Sequence, residues 1–123
     1  PVDKHDLDNA KLLINLGYPK VKPILYDIID WIGDINWPVA KIFLPFLSSI
    51  GKECNDVIQK IFESNDGMLK YNVIQYVIPN MKKEDSKFFI PILKKLQKNL
   101  TEDDKKEEVD LAILEAIEEI ESL

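Results

Sequence analysis

One histidine and no arginine leave this chain few routes to chemistry. His5 stands between Asp3 and Asp6, the one place where an imidazole meets carboxylates. A divalent metal accepts such groups, but a closed zinc site takes about four fixed ligands, and this run offers one ring and two short acids. The competing role for Asp3 or Asp6 is to cap the first helix, leaving His5 on the surface or against the next repeat. Cys54, the only cysteine, sits at a helix start, where the dipole lowers a thiol's pKa. Its one possible imidazole base is far away in sequence, so a buried or idle thiol is expected. A reaction needs a nucleophile beside a base, a metal cage or a phosphate loop. The sequence has no glycine-rich loop, histidine pair or cysteine pair. It therefore predicts no catalytic residue, no metal and no cofactor.

Two groups of residues could instead grip a partner. Asp34, Asn36 and Trp37 fall in a tight turn between paired helices, where an acid, an amide and an indole share one rim. Structurally, the same turn reads as Asp34 or Asn36 capping the next helix, Pro38 stiffening its first turn and Trp37 wedging between helices. Asn72, Gln75 and Tyr76 lie on the more polar side of a later helix, the face that lines the inner curve of a stacked-repeat protein. These six residues are the candidate partner-binding set, with Asp3, His5 and Asp6 a weaker cluster. Tyr18, Tyr26, Trp31 and Tyr71 read as core or inter-repeat contacts. A lysine stripe, Lys87, Lys94, Lys95 and Lys98, shares one helix face. Glu115, Glu118 and Glu119 are expected to neutralise it from the partner helix. A net charge of −6 also repels a polyanion, so nucleic acid is not an expected partner.

The elements that must position these groups are helical throughout. The 123 residues fit a single domain, residues 1–123, and 46% hydrophobic with 31% charged residues reads as globular. The longest apolar run, Ile42 to Leu47, is broken by Pro45, far short of the roughly 18 residues of a membrane span. The first residues have no apolar signal core, and a lone cysteine fits a reducing compartment, so a cytoplasmic setting is expected. All 16 basic residues are lysine, and isoleucine and asparagine are frequent, the bias of an AT-rich genome. Charge is unevenly placed: residues 1–100 are near neutral, whereas 101–123 carry 10 acids and 2 lysines.

Apolar periodicity predicts a short first helix ended by Gly17, then helices over 19–32, 37–50, 55–63, 68–78 and from 85 or 86 to 100. A last helix carries Val109, Ala112, Ile113, Ala116, Ile117 and Ile120, with Thr101 to Asp104 as its turn and cap. Ile24 is expected inward on the second helix, and Pro45 is expected to kink or interrupt the third. The segment Trp37–Pro45 recurs 34 residues later as Tyr71–Pro79, and Pro23-Ile24-Leu25 recurs as Pro91-Ile92-Leu93 at twice that distance. Three helix pairs after one short helix follow, and stacking them buries stripes that no pair buries alone. The expected architecture is all-α, a short right-handed α-α superhelix, with an ordinary globular bundle as the alternative.

The run Asp3-Lys4-His5-Asp6, then Gly17-Tyr18-Pro19, Trp31, Asp34-Ile35-Asn36-Trp37-Pro38-Val39-Ala40 and Ile50-Gly51 resembles a bacterial family, domain of unknown function 5071 (DUF5071). The resemblance covers most of the chain, is most specific at Asp34 to Ala40 and is weakest in the acidic last helix. It implies a HEAT-like solenoid in a bacterial, cytoplasmic setting and carries no reaction. The leading functional expectation is a non-catalytic protein–protein interaction module, because a solenoid offers an extended rigid surface. The alternative is an immunity- or antitoxin-like inhibitor that blocks a basic partner with its acidic surface. Enzyme and nucleic-acid binder rank below both.

Overall fold

Prolines and glycines set where the helices begin and break. The computed structural model describes residues 1–123, all in helices and turns with no strand. Seven helical elements follow in order. Helix α1 is Leu7–Leu16, and Gly17 ends it with a positive φ of 72° that a side chain would resist. Helix α2 (22–33) is a 3-10 turn, Lys22–Ile24, an α segment, Leu25–Asp30, and a second 3-10 turn, Trp31–Gly33. It begins three residues later than periodicity predicts. Pro19 lies in the preceding turn after a cis peptide bond, and Pro23 takes the first-turn position where no amide is needed. That late start leaves Ile24 exposed, against the inward position expected for it, while Leu25, Ile28, Ile29 and Ile32 are buried.

Helix α3 is Pro38–Ile50 and α4 is Asn55–Glu63, joined by the 3-10 turn Gly51–Cys54. Pro45 does not interrupt α3, which runs on through it. Its missing amide frees the Lys41 carbonyl, and both residues lie on the solvent side, where water solvates the freed group. Helix α5 (67–80) starts at Gly67 and passes from an α segment, Gly67–Asn72, into a π segment, Val73–Val77, and a 3-10 turn, Ile78–Asn80. It was expected to end at Ile78 but runs two residues further, and side chains bond two carbonyls of its last turns. The Ser48 hydroxyl donates to the Val77 carbonyl at 2.8 Å, and Asn80 Nδ2 to the Tyr76 carbonyl at 2.8 Å.

Helix α6 (83–97) is two segments, Lys83–Phe88 and Ile90–Gln97, where one unbroken helix to Leu100 was expected. Pro91 has no amide to offer the Lys87 carbonyl, so the chain turns at Phe89. Helix α7 (102–121) is likewise split into Glu102–Lys106 and Val109–Glu121. Thr101 and Asp104 form a reciprocal capping box on the short first segment, not on the long last one. The break falls at Glu108, which is left-handed at φ 60°.

Helix α3 packs on α1, α2 and α5, and α5 packs in turn on α2, α3, α4 and α7. One core cluster of 28 buried residues draws on all seven helices. Phe43, Phe89, Ile58, Ile74 and Ile113 are fully buried in it. The apolar stripe predicted for the last helix is buried at Val109, Ala112, Ile113, Ala116 and Ile120. Against the equivalence that the repeat predicts for them, the two paired prolines occupy different surroundings: Pro45 is exposed inside α3, and Pro79 is buried in the last turn of α5.

Candidate functional site

Three turns meet along one rim of the stack, and buried polar groups hold them there. Asn72 on α5 is buried, and its Nδ2 donates to the Ile32 carbonyl at 2.9 Å and the Gly33 carbonyl at 3.2 Å. Two residues earlier Lys70 turns inward, fully buried, and its Nζ reaches both oxygens of Asp104 at 2.9 Å. Asp104 Oδ2 also accepts the Thr101 amide at 3.0 Å. Beside it Asp103 Oδ2 accepts the Gly67 amide at 2.7 Å. A Cβ on Gly67 would stand 2.7 Å from the Asp103 carbonyl oxygen, so this approach requires glycine. The 32–33 turn, the start of α5 and the start of α7 are thereby tied into one rigid edge.

Between these turns opens a cleft of about 400 Å³. One wall is the 33–36 turn with Asp34 and Asn36, and another is the α5 face with Met68, Tyr71, Asn72 and Tyr76. Glu107 and Glu108, at the break in α7, close the third side. The lining thus holds three carboxylates, two phenols and no cation, and Lys70 of the same helix is paired with Asp104. Burial pushes the Tyr71 hydroxyl above its ordinary pKa, with Tyr76 and the charges of Glu115 and Glu108 adding to the effect. Tyr71 is therefore a neutral donor across physiological pH.

The structure places the six predicted residues unevenly. Asp34, Asn36, Asn72 and Tyr76 converge on the cleft from segments nearly 40 residues apart. Trp37 and Gln75 are half-buried and do not line it. Trp37 packs edge-on against Trp31, ring centres 5.8 Å apart, as the wedge reading describes. Neither Asp34 nor Asn36 caps α3. Asp34 Oδ1 accepts the Asn36 amide at 2.9 Å in a local turn, while the Lys4 carbonyl takes the orphan Val39 amide at 3.1 Å. A distant segment supplies the partner that local spacing had assigned to the turn.

Tyr71, Met68, Glu107 and Glu108 were not foreseen as site residues. Tyr71 reads as a core or inter-repeat contact, and the two glutamates as part of the acidic C-terminal segment. Tyr26, expected to pack, is 42% exposed. Nor is the lysine stripe of α6 neutralised by Glu115, Glu118 and Glu119: the ion pairs formed are Lys70–Asp104 and Lys105–Glu102. Exposed lysines are solvated well enough to stay unpaired.

The N-terminal cluster is absorbed in local bonding. Asp6 caps α1 by accepting the Asn9 amide at 3.3 Å, and its Oδ2 accepts Asn9 Nδ2 and the Val2 amide, each at 2.8 Å. The Asn9 side chain first, then the Val2 amide, hold its carboxyl below the usual range. Asp3 Oδ1 accepts the His5 amide at 2.8 Å, and His5 is exposed. No three His, Cys, Asp or Glu side chains gather closely enough to hold a metal ion. Burial, with a smaller push from Glu53, raises the Cys54 thiol to about 12, and its Sγ lies 3.7 Å from the Leu47 carbonyl. No helix is long and apolar enough to cross a membrane.

Fold and site together define an all-helical domain whose tied turns frame an acidic, aromatic cleft at one rim. The chain belongs to the family described as domain of unknown function DUF5071, whose model matches residues 1–117. No curated protein matches it.

Proposed function

We propose that this domain is a HEAT-like, non-catalytic protein-interaction module of the bacterial cytoplasm that engages its partner through the rim cleft. The observation that carries this reading is the convergence of Asp34, Asn36, Tyr71, Tyr76, Glu107 and Glu108 on one open cleft from three separate segments. A few convergent polar groups in a rigid concavity are the usual form of a recognition site. The HEAT-like description is supported by the ties along the rim. Lys70 and Asp104 are 34 residues apart, the repeat distance read from the sequence, and Asn72 reaches back 39 and 40 residues. The non-catalytic description is supported by the state of the two reactive side chains. Cys54 is buried as a neutral thiol, and His5 is exposed with no acid presented to its ring.

An inhibitor of a basic partner, of the immunity or antitoxin kind, is the second reading. It is favoured by a cleft whose charged lining residues are all acidic. Affinity capture from the source cell with the native chain and with Tyr76→Ala tests the module. A partner retained by the native chain and lost by a folded Tyr76→Ala chain supports it. Equal retention by both chains refutes the assignment of the cleft.

A further inference from the structure

We infer that the rim cleft is a cation pocket that accepts one lysine or arginine side chain of a basic partner. This deepens the interaction reading above and rests on it. Carboxylates on a flat surface are solvated and select little. Here Asp34, Glu107 and Glu108 share the lining of one concavity with Tyr71 and Tyr76. Aromatic faces attract a cation electrostatically, and the attraction grows as water is excluded. The Tyr71 hydroxyl adds a neutral dipole beside the acids and no positive charge.

Size points the same way. At about 400 Å³ the cleft is at the small end of ligand pockets, which run roughly 300–1,000 Å³, so it suits one long side chain and not a docked helix. The pocket is also held open and uncompensated by the fold. Asn72, which lines the cleft, is fixed onto the 32–33 turn, and Lys70, the lysine of α5, is fixed onto Asp104. Lys105 and Lys106, on the neighbouring segment of α7, are exposed and absent from the lining. No internal cation competes with an incoming one.

Titrating the isotope-labelled full chain with Nα-acetyl-lysine methylamide, the arginine equivalent and the uncharged norleucine equivalent, followed by amide chemical shifts, tests this. The two cations should shift residues 34–36, 71–76 and 107–108, and norleucine should bind at least about five-fold more weakly. Asp34→Asn keeps the acceptor for the Asn36 amide while removing charge. It and Glu107→Gln should each weaken the cations about two- to five-fold at low salt and leave the spectrum otherwise native. Norleucine binding as well as lysine would overturn the proposal. So would cation shifts scattered over Glu118, Glu119 and Glu121 with none in the cleft, or no shifts at all. A partner that is captured through Tyr76 while the cations fail to bind removes the cation pocket and leaves the interaction module standing. Cation binding with no captured partner does the reverse.

Discussion

Two buried residues set the most demanding local chemistry in this molecule. Lys70 and Asp104 are both fully buried: the Lys70 ammonium donates to both carboxylate oxygens, and Asp104 Oδ2 also accepts the Thr101 amide. A paired buried charge adds little net stability against a well-packed apolar pair, but orphaning one member is costly. Lys70→Met should therefore destabilise by about 3–5 kcal/mol in urea unfolding, and Asp104→Leu placed on top should recover part of that loss. Independent, additive losses in the two single variants would show that the pair is not coupled. Cys54 gives a pH prediction. Its folded pKa of about 12 lies above the ordinary 9.0, so burying the neutral thiol stabilises the fold fully below pH 9. That contribution fades as pH rises towards 12. At pH 8 a thiol reagent should label the native chain only as fast as it unfolds, with labelling accelerated by urea. Rapid labelling without denaturant would contradict the burial. Lysine carries no mark of burial in a sequence, so the ion pair was illegible. Its separation matched the repeat, yet nothing in residue type distinguished Lys70 from solvated neighbours.

At the scale of elements, apolar spacing made the helices legible and misplaced their joints. Residues 55–63 form a helix with the predicted bounds, and Leu25, Ile28, Ile29 and Ile32 are buried as their spacing demands. Breaks depend on which carbonyls find substitute donors, which is decided by distant chain. Helix α5 runs past Pro79 to Asn80, with Ser48 donating to the Val77 carbonyl, whereas the chain turns at Phe89 ahead of Pro91. The same non-local logic hid half of the cleft. Asp34, Asn36, Asn72 and Tyr76 were recognisable as polar groups at a turn and on a helix face. Glu107 and Glu108 join them only because α7 breaks in a left-handed residue that periodicity does not reveal. Trp37 shows the wedge in energetic form. It is half-buried and packed edge-on against Trp31, so Trp37→Ala should cost about 3 kcal/mol, the low end for truncating a large aromatic. A near-native melting temperature combined with lost partner affinity would instead make Trp37 a contact residue.

For the molecule as a whole, the decisive quantity is where its negative charge sits. Of the acids in 101–123, Asp104 is buried in the ion pair, Asp103 ties down Gly67, and Glu107 and Glu108 line the cleft. Glu118 and Glu121 remain on the exposed side of α7, whose opposite face packs into the core. A terminal element needs a polar outer face for solubility, and these two acids supply one without ion pairs. Changing both to Gln should therefore shift stability by no more than about 1 kcal/mol, measured by urea unfolding at low salt. Their long-range field is a separate matter. It adds to that of the cleft, and charges at the rim of a contact govern encounter more than retention. Once a basic partner is in hand, the double Gln variant should associate more slowly and with weaker salt dependence, while dissociation stays close to native. Asp34→Asn, inside the cleft, should instead speed dissociation. A double variant that dissociates faster and associates normally would move the contact from the cleft to the outer face of α7.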